Sequence, residues 1–388
     1  MQIDSNLVEP SKHLYVHVPF CRSKCPYCDF YSIPVDASES QLFIDYLDAL
    51  ASEISEMREF AGVLSTIYIG GGTPSVIGAT NLQTLMKLIR GNFELDENAE
   101  ITVEANPESF DAEFAEASAK SGINRISIGA QSFNVDNLRF LGRIHDSEQI
   151  YKAAECIKNA GFRNFNIDLI TALPKQAISD VLHDLNEALS LNPTHLSVYN
   201  LIIEENTPFE TCQKNREFEM ADAEEISEIY DETSKHLSGK DFIHYEISNF
   251  AMQGFESQHN LGYWRYENYL GIGASAQSFL KPYRFANKRN LSEYLHSERR
   301  EFVEILTPTQ QLDETLLLGL RTVEGVPISR IASLFSQEQF LEKIHKNTTI
   351  LDKINISDSR IVIKPEFFAV ADAIILSIAS KLTTDRDS

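Results

Sequence analysis

The sequence predicts an α/β protein built on parallel strands, and three observations carry that prediction. Over roughly the first 200 residues, short apolar runs alternate with segments of helical period. The runs end in glycines, a glutamate and a glutamine, and the carboxyl ends of parallel strands are where α/β folds gather their working groups. The chain has 388 residues, 43% hydrophobic and 23% charged, enough for a large core and two or three domains.

The elements follow in order. Residues 13–18 alternate as a strand and lead into a loop carrying Cys21, Cys25 and Cys28. Residues 41–60 set Leu42, Phe43, Tyr46, Leu47, Leu50 and Ile54 at helical spacing, with acidic residues opposite. A strand at 65–69 ends in Gly70-Gly71-Gly72-Thr73-Pro74, and a helix follows at about 79–90. Strand 100–105, helix 111–120 and strand 125–129 come next. Helical segments 135–141 and 147–160, strand 164–171, helix 177–189 and strand 195–200 complete six strands. Such alternation argues for crossover helices between parallel strands, without separating an open sheet from a barrel. After Glu204 the character changes: an acidic helix at 221–237, a strand-like 242–247, then an aromatic, glycine-punctuated stretch. Beyond Thr307 the periods are helical (312–321, 328–335, 337–346), with a strand pair near 355–364 and a last helix at 365–382. The chain therefore divides into residues 1–205, a mixed region at 206–305, and a small, mainly helical unit with a wing at 306–388.

Composition narrows the function classes. A formal charge of −23 repels phosphate backbones, so no nucleic acid is expected as partner, and electrostatic adsorption to anionic membranes is disfavoured. No apolar run reaches 18 residues and no basic-then-apolar leader opens the chain, which predicts a cytoplasmic protein. Of five cysteines, three are clustered; Cys156 and Cys212 stand alone, so a disulfide scaffold is not expected.

The cysteine loop organises the rest. Cys21-x3-Cys25-x2-Cys28 offers three thiolates, the usual protein ligands of iron–sulfur clusters, and three would leave one iron of a four-iron cluster open. Zinc, a disulfide and a chance cluster are the rivals; no second CxxC or HxxxH pair supports zinc.

This loop resembles the signature of the radical S-adenosylmethionine (SAM) superfamily, whose open iron binds the amino and carboxylate groups of SAM and whose reduced cluster can cleave it. The flanking residues resemble the oxygen-independent coproporphyrinogen III oxidase family and, within it, the HemW-type heme chaperones: Phe30 stands where the oxidases typically carry a further cysteine. The resemblance implies a partial (β/α)6 barrel, open on one side, a 4Fe-4S cluster on Cys21, Cys25 and Cys28, and SAM at the barrel top.

The strand-end residues acquire expected roles from it. Glycines let a ligand approach the backbone closely, though a Gly-rich turn alone is weak evidence. Gly71, Gly72 and Thr73 look like the segment that holds the amino and methionine part of SAM. Glu104 ends the third strand, where a carboxylate among apolar neighbours is uncomfortable unless it is a solvated loop residue. Gln131 ends the fourth and can donate and accept. Arg143 offers a planar fork, for a carboxylate or for a surface ion pair. Asp168 interrupts an apolar strand and should have a partner. Matched to the family, these four resemble SAM contacts, joined by Tyr15, Tyr27 and, less closely, Ile202.

His259 heads His259-Asn260-Leu261-Gly262-Tyr263-Trp264. Taken alone, a histidine in a polar loop is a solvated side chain. The segment resembles the HN-x-x-YW motif of HemW-type proteins, where the histidine is implicated in holding heme; imidazole is a common axial ligand and neighbouring aromatics can shield a flat apolar ring. Gln277 stands where relatives commonly have histidine, which puts heme affinity in question. The function implied is a chaperone that passes heme to respiratory hemoproteins, with peripheral contact to membrane proteins and a homodimer left open. The rival is a coproporphyrinogen III oxidase, and a plainer one an α/β protein with a structural metal loop.

Overall fold

A computed structural model of the chain describes residues 3–36, 39–296 and 299–383. One twelve-stranded sheet dominates it. Six strands run parallel in chain order: β1 (Ser11–Val18), β2 (Ala61–Gly71), β3 (Leu95–Ala105), β4 (Arg125–Gln131), β5 (Asn164–Thr171) and β6 (His195–Asn200). Helices α1 (Ser40–Met57), α2 (Gly78–Asn92), α3 (Ala112–Lys120), α4 (Val135–Phe140), α5 (Ser147–Asn159) and α6 (Ile178–Ser190) make the crossovers. Parallel neighbours need connections of this length, and a helix supplies one while covering the sheet.

Alternation along the strands decides the faces. Leu14, Val16, Ile67, Ile69, Ile101, Val103, Ile126 and Ile128 join one apolar core with the helices. The other face is polar and bonded across strands. His13 Nδ1 lies 2.8 Å from Thr66 Oγ1, and Tyr68 Oη donates to Glu104 Oε1 at 2.6 Å. Asn166 Nδ2 donates to Ser127 Oγ at 2.8 Å, and Ser197 Oγ to Asn166 Oδ1 at 3.2 Å. Parallel sheets ordinarily bury apolar residues on both faces. A polar face here gives up apolar packing and arms the interior for chemistry.

Later segments lengthen the sheet at both ends. Beside β6 come β8 (Asn249–Ala251) and β7 (Ile243–Glu246), antiparallel. Beside β1, β9 (Tyr269–Ile272) pairs in parallel, and β10 (Gln277–Leu280), β11 (Tyr283–Asn287) and β12 (Arg300–Ile305) follow as an antiparallel meander. The order is β12-β11-β10-β9-β1-β2-β3-β4-β5-β6-β8-β7, so the sheet has two edges and does not close. The residue pattern in 269–305 predicts no strands. They are four to six residues long and broken by glycines, too short for a periodicity to register. Gly271 is required by close approach: a Cβ there would lie 1.9 Å from the Gln277 carbonyl oxygen.

Helices α7 (Pro208–Lys214), α8 (Ala223–Ser238), α9 (Gln258–Trp264) and α10 (Leu291–Leu295) belong to the middle of the chain. Glu53 of α1, fully buried, accepts from Gly273 N (2.9 Å), Asn287 Nδ2 (2.7 Å) and Tyr294 Oη (2.6 Å), pinning the meander and α10 to the first crossover helix. At the carboxyl end, α11 (Pro308–Gly319), α12 (Ile328–Ala332), α13 (Gln337–Lys346) and α14 (Ala371–Thr383) pack with a small antiparallel sheet. Its strands are β13 (Val326–Pro327), β14 (Ile354–Ile356) and β15 (Arg360–Ile363). They share an apolar cluster of their own, Leu316, Phe340, Ile361 and Ile378 among it. Arg265, just past α9, ties this region to the rest through Glu324 (Nη2 to Oε1, 2.5 Å). No helix among the described residues is long and apolar enough to cross a membrane.

Candidate cofactor site and adjoining cleft

The cysteine loop leaves the carboxyl end of β1 and is held from several sides. The short pairing of Phe20–Cys21 with Ile33–Pro34 closes its base. Thr73 Oγ1 donates to Cys21 Sγ at 3.4 Å, and Asn106 Nδ2 donates to Thr73 Oγ1 at 3.0 Å. Arg143 Nη2 reaches Asn106 Oδ1 (2.6 Å) and the Gly129 carbonyl (2.9 Å), while Nη1 lies 3.5 Å from Cys25 Sγ. Cys21, Thr73, Asn106, Arg143 and Cys25 thus form one hydrogen-bonded arc.

Burial pushes the Cys21 thiol up and the Cys28 thiol up to about 11. Thiolate is the ligating form, so cationic iron is what would hold them ionised. Among the described residues, no three His, Cys, Asp or Glu side chains are grouped so as to hold a metal ion. The three thiols share one loop, with donors turned to Cys21 and Cys25.

The glycine turn is shaped by contact. Gly72 N donates to the Val18 carbonyl (2.8 Å) and Thr73 N to the Phe20 carbonyl (2.7 Å), docking the turn on the start of the cysteine loop. A Cβ at Gly72 would stand 2.7 Å from the Phe20 oxygen. Gly71, at φ +116°, donates its N–H to Glu104 Oε2 at 3.2 Å. Burial pushes Glu104 up to about 7, the Tyr68 hydroxyl pulling the other way.

The remaining expected residues divide. Gln131 ends β4 at φ +68°, a conformation that side chains adopt only when held there. Asp168 has the partners its strand position demanded: Asn166 Nδ2 (2.6 Å) and Ser127 Oγ (3.2 Å) donate to it, and burial raises its pKa. Tyr27, partly buried, lies beside Phe209 (ring centroids 6.3 Å). Tyr15 Oη donates to His17 Nδ1 at 2.9 Å, because His17 Nε2–H is committed to the Tyr31 carbonyl at 2.8 Å and burial lowers its pKa to about 4. Ile202 is 67% exposed beyond β6.

Beside the loop lies a cleft of about 460 Å³, walled by Tyr15, Tyr31, Tyr263, Tyr266, Tyr269 and Phe279 and reached by Phe30, Arg284 and Arg289. Gln277 lines it too. Arg289 holds Asp29 of the cysteine loop (Nη2 to Oδ1, 2.9 Å), and Arg284 pairs with Glu314. His259 is not the loop histidine that its polar surroundings in sequence suggest. It lies on α9, 1% exposed, with Thr66 Oγ1 2.7 Å from Nδ1 and Tyr263 Oη 2.8 Å from Nε2. Burial keeps its pKa well below the usual value. The helix forms because Ser257 caps it, accepting from Asn260 N, and because Leu261 has an apolar pocket with Tyr245 and Ala251.

Comparison with known proteins assigns the family. Residues 15–188 match the Radical SAM superfamily. The chain is 36% identical over 365 residues to a heme chaperone HemW of Lactococcus lactis subsp. lactis, covering 90% of this chain and 94% of that one. It is 35% identical to the Bacillus subtilis heme chaperone HemW, covering 84% and 87%. The chain belongs to the HemW family of radical SAM proteins. That superfamily implies a 4Fe-4S cluster and SAM, and the arc and glycine turn fit both. In fold the HemW-family chain is similar to coproporphyrinogen III oxidase (HemN) from Escherichia coli, at a TM-score of 0.80 and 24% identity, covering 97% and 91% of the two chains.

In this HemW-family chain Asn106, His17, Thr66, Asp29 and Arg289 also belong to the candidate site, although the sequence pattern does not single them out. Asn106 carried a faint signal, since it follows Glu104 at a strand end. Asp29 and Arg289 carried none, being 260 positions apart.

Proposed function

We propose that this chain is a heme chaperone that binds heme in the aromatic cleft and passes it to respiratory hemoproteins. It keeps a 4Fe-4S cluster on Cys21, Cys25 and Cys28, and SAM beside Gly71, Gly72, Thr73, Glu104, Gln131 and Arg143. The supporting observation is the cleft: aromatic walls suit a flat apolar ring, and the half-exposed Arg289 guanidinium suits a carboxylate side chain. The curated relatives named as heme chaperones support the same reading. Cys21, Cys25 and Cys28 would hold the cluster, which would supply reducing electrons when bound, and Arg143 and Thr73 orient the loop that carries these cysteines.

Phe30, 70% exposed at the cleft mouth, presents an apolar face where the oxidases resembled here have a thiol. Arg289 is half-exposed and bonded to an equally exposed Asp29, a pairing weak enough for an incoming carboxylate to displace. Delivery to an acceptor requires such release on the acceptor's terms, and contacts at the protein surface rather than in a closed core allow it.

The test is titration of hemin into the anaerobically reconstituted chain, followed at the Soret band. Saturable one-to-one binding is expected, about tenfold weaker in Arg289→Gln through loss of a charge-assisted hydrogen bond. Non-saturable partitioning overturns the reading and makes coproporphyrinogen decarboxylation the activity to assay.

A further inference from the structure

The charges that border the cleft are sorted along β1. At its carboxyl end stand His17 and Tyr31, with Arg289 held to Asp29 of the cysteine loop. At its amino end His13 Nε2 lies 2.7 Å from Glu267 Oε2, and the Glu267 side chain is 39% exposed where it lines the cleft. His13 and His17 sit four residues apart on one strand, so roughly 13 Å of backbone separates the two ends. Arg284 stands at the amino end too, since Tyr269 pairs with His13, Phe279 with Tyr269 and Arg284 with Phe279. That guanidinium is already compensated: Glu314 holds Nη2, and Glu304 Oε2 lies 3.6 Å from Nη1. Aromatic rings and the neutral Gln277 make up much of the wall.

Glu267 is bonded to an imidazole, not to a guanidinium. A carboxylate only accepts, so His13 donates its Nε2–H and leaves Nδ1 to Thr66, 2.8 Å away. The bond from His13 holds the Glu267 carboxyl below its usual range, and the charges of Arg265 and Arg330 act in the same direction. Those two guanidiniums have partners of their own, Glu324 for Arg265 and the Arg265 carbonyl for Arg330. Lys281 has its ammonium over the Tyr266 ring, 4.9 Å from the centroid. The amino end therefore turns a carboxylate to the cleft, and the carboxyl end turns to it a guanidinium whose half-exposed partner can be displaced.

Tetrapyrroles differ in where they carry carboxylates. Heme has two, side by side on one edge, with vinyl and methyl groups on the opposite edge. Coproporphyrin rings have four, one on each pyrrole, so no edge is free of charge. Resting on the heme-binding reading, we infer that Glu267 is a specificity-determining residue of this cleft, repelling carboxylates from its amino end and so selecting tetrapyrroles whose carboxylates share one edge. The bound ring is set with its carboxylates toward Arg289 and its apolar edge on Tyr269 and Phe279, which lie at the level of Glu267. A fixed like charge is an effective device for rejecting a near-identical ligand, because the correct one does not meet it.

The experiment titrates hemin and iron coproporphyrin III, which carry the same metal, into the full, reconstituted chain and follows the Soret band. Wild type is compared with Glu267→Gln, whose amide oxygen can still accept from His13, so that the hydrogen bond stays and the charge goes. Far-UV circular dichroism reports whether the variant folds. Wild type is expected to bind hemin about 10- to 100-fold more tightly than iron coproporphyrin III, the repulsion of one or two carboxylates. Glu267→Gln narrows that ratio about 10-fold, the gain falling on iron coproporphyrin III. Raising the salt from about 0.05 to about 0.5 M narrows it in wild type as well, because charge in an open cleft is screened. A ratio unchanged by the substitution, or by salt should the variant not fold, overturns the inference while heme binding stands. So does a wild type that takes both ligands equally. Absence of saturable hemin binding by wild type overturns both readings.

Discussion

Arg143 sets Nη1 3.5 Å from the Cys25 sulfur while Nη2 spans Asn106 and the Gly129 carbonyl, so one guanidinium joins the cysteine loop to the ends of β3 and β4. The planar fork is what allows it: three partners in different directions are met by donors in fixed geometry. A lysine would bring one charge and no fork.

Arg143→Lys is therefore expected to weaken SAM binding by about 10- to 100-fold, the loss of one or two charge-assisted hydrogen bonds. Iron and sulfide content should stay close to wild type, because the three thiols remain. Equilibrium dialysis with labelled SAM on anaerobic protein checks this. An affinity within twofold of wild type would mean that the arc does not position the SAM site.

Gly72 and Gly91 make a matched pair. A Cβ at Gly72 meets the Phe20 oxygen at 2.7 Å and nitrogen at 2.9 Å, whereas at Gly91, in the last turn of α2, it meets nothing within 4 Å. Gly72→Ala should cost about 1–3 kcal/mol through forced backbone movement. Gly91→Ala should gain about 0.4–1 kcal/mol by stiffening the unfolded chain. Urea unfolding under reducing conditions measures both, and a stabilising Gly72→Ala would refute the contact as the reason for glycine.

Glu246 of β7 is wholly buried, and burial raises its pKa from 4.5 to about 7, against the donation of Ser248 N. Between those values the folded chain holds a proton that the unfolded chain has released. Stability contributed by this group is complete below about pH 4.5 and falls as pH rises through about 7. Glu246→Gln removes the dependence. Its stability relative to wild type should grow by ~1–3 kcal/mol over that window and then level off. Urea midpoints at several pH values check it; a difference that stays flat with pH would show that the carboxyl titrates normally.

Much of the site is legible in the chain because the chemistry is local. Cys21, Cys25 and Cys28 share one loop, and Gly70 to Pro74 share one turn, so the two motifs can be read locally and together resemble the family's cofactor segments. Asp168 announces itself as a charge in an apolar strand, and Asn166 and Ser127 answer it. Asn106 and Arg289 are less readable. Their partners, Arg143 and Asp29, lie 37 and 260 positions away, and no local pattern encodes such a pair.

His259 shows the division most sharply. The resemblance supplies its expected part in holding heme, and its motif can be read from six consecutive residues. Its role cannot, because that depends on Thr66 from β2 and on which of two neighbours, His259 or Tyr263, borders the cleft. Periodicity and ligand spacing are properties of nearby residues, so the chain alone carries the six parallel strands, the cysteine loop and the glycine turn. The polar inner face, the meander from β9 to β12 and the cleft arise only when strands distant in sequence pair, since burial and hydrogen-bond partners exist only between surfaces brought together by the fold.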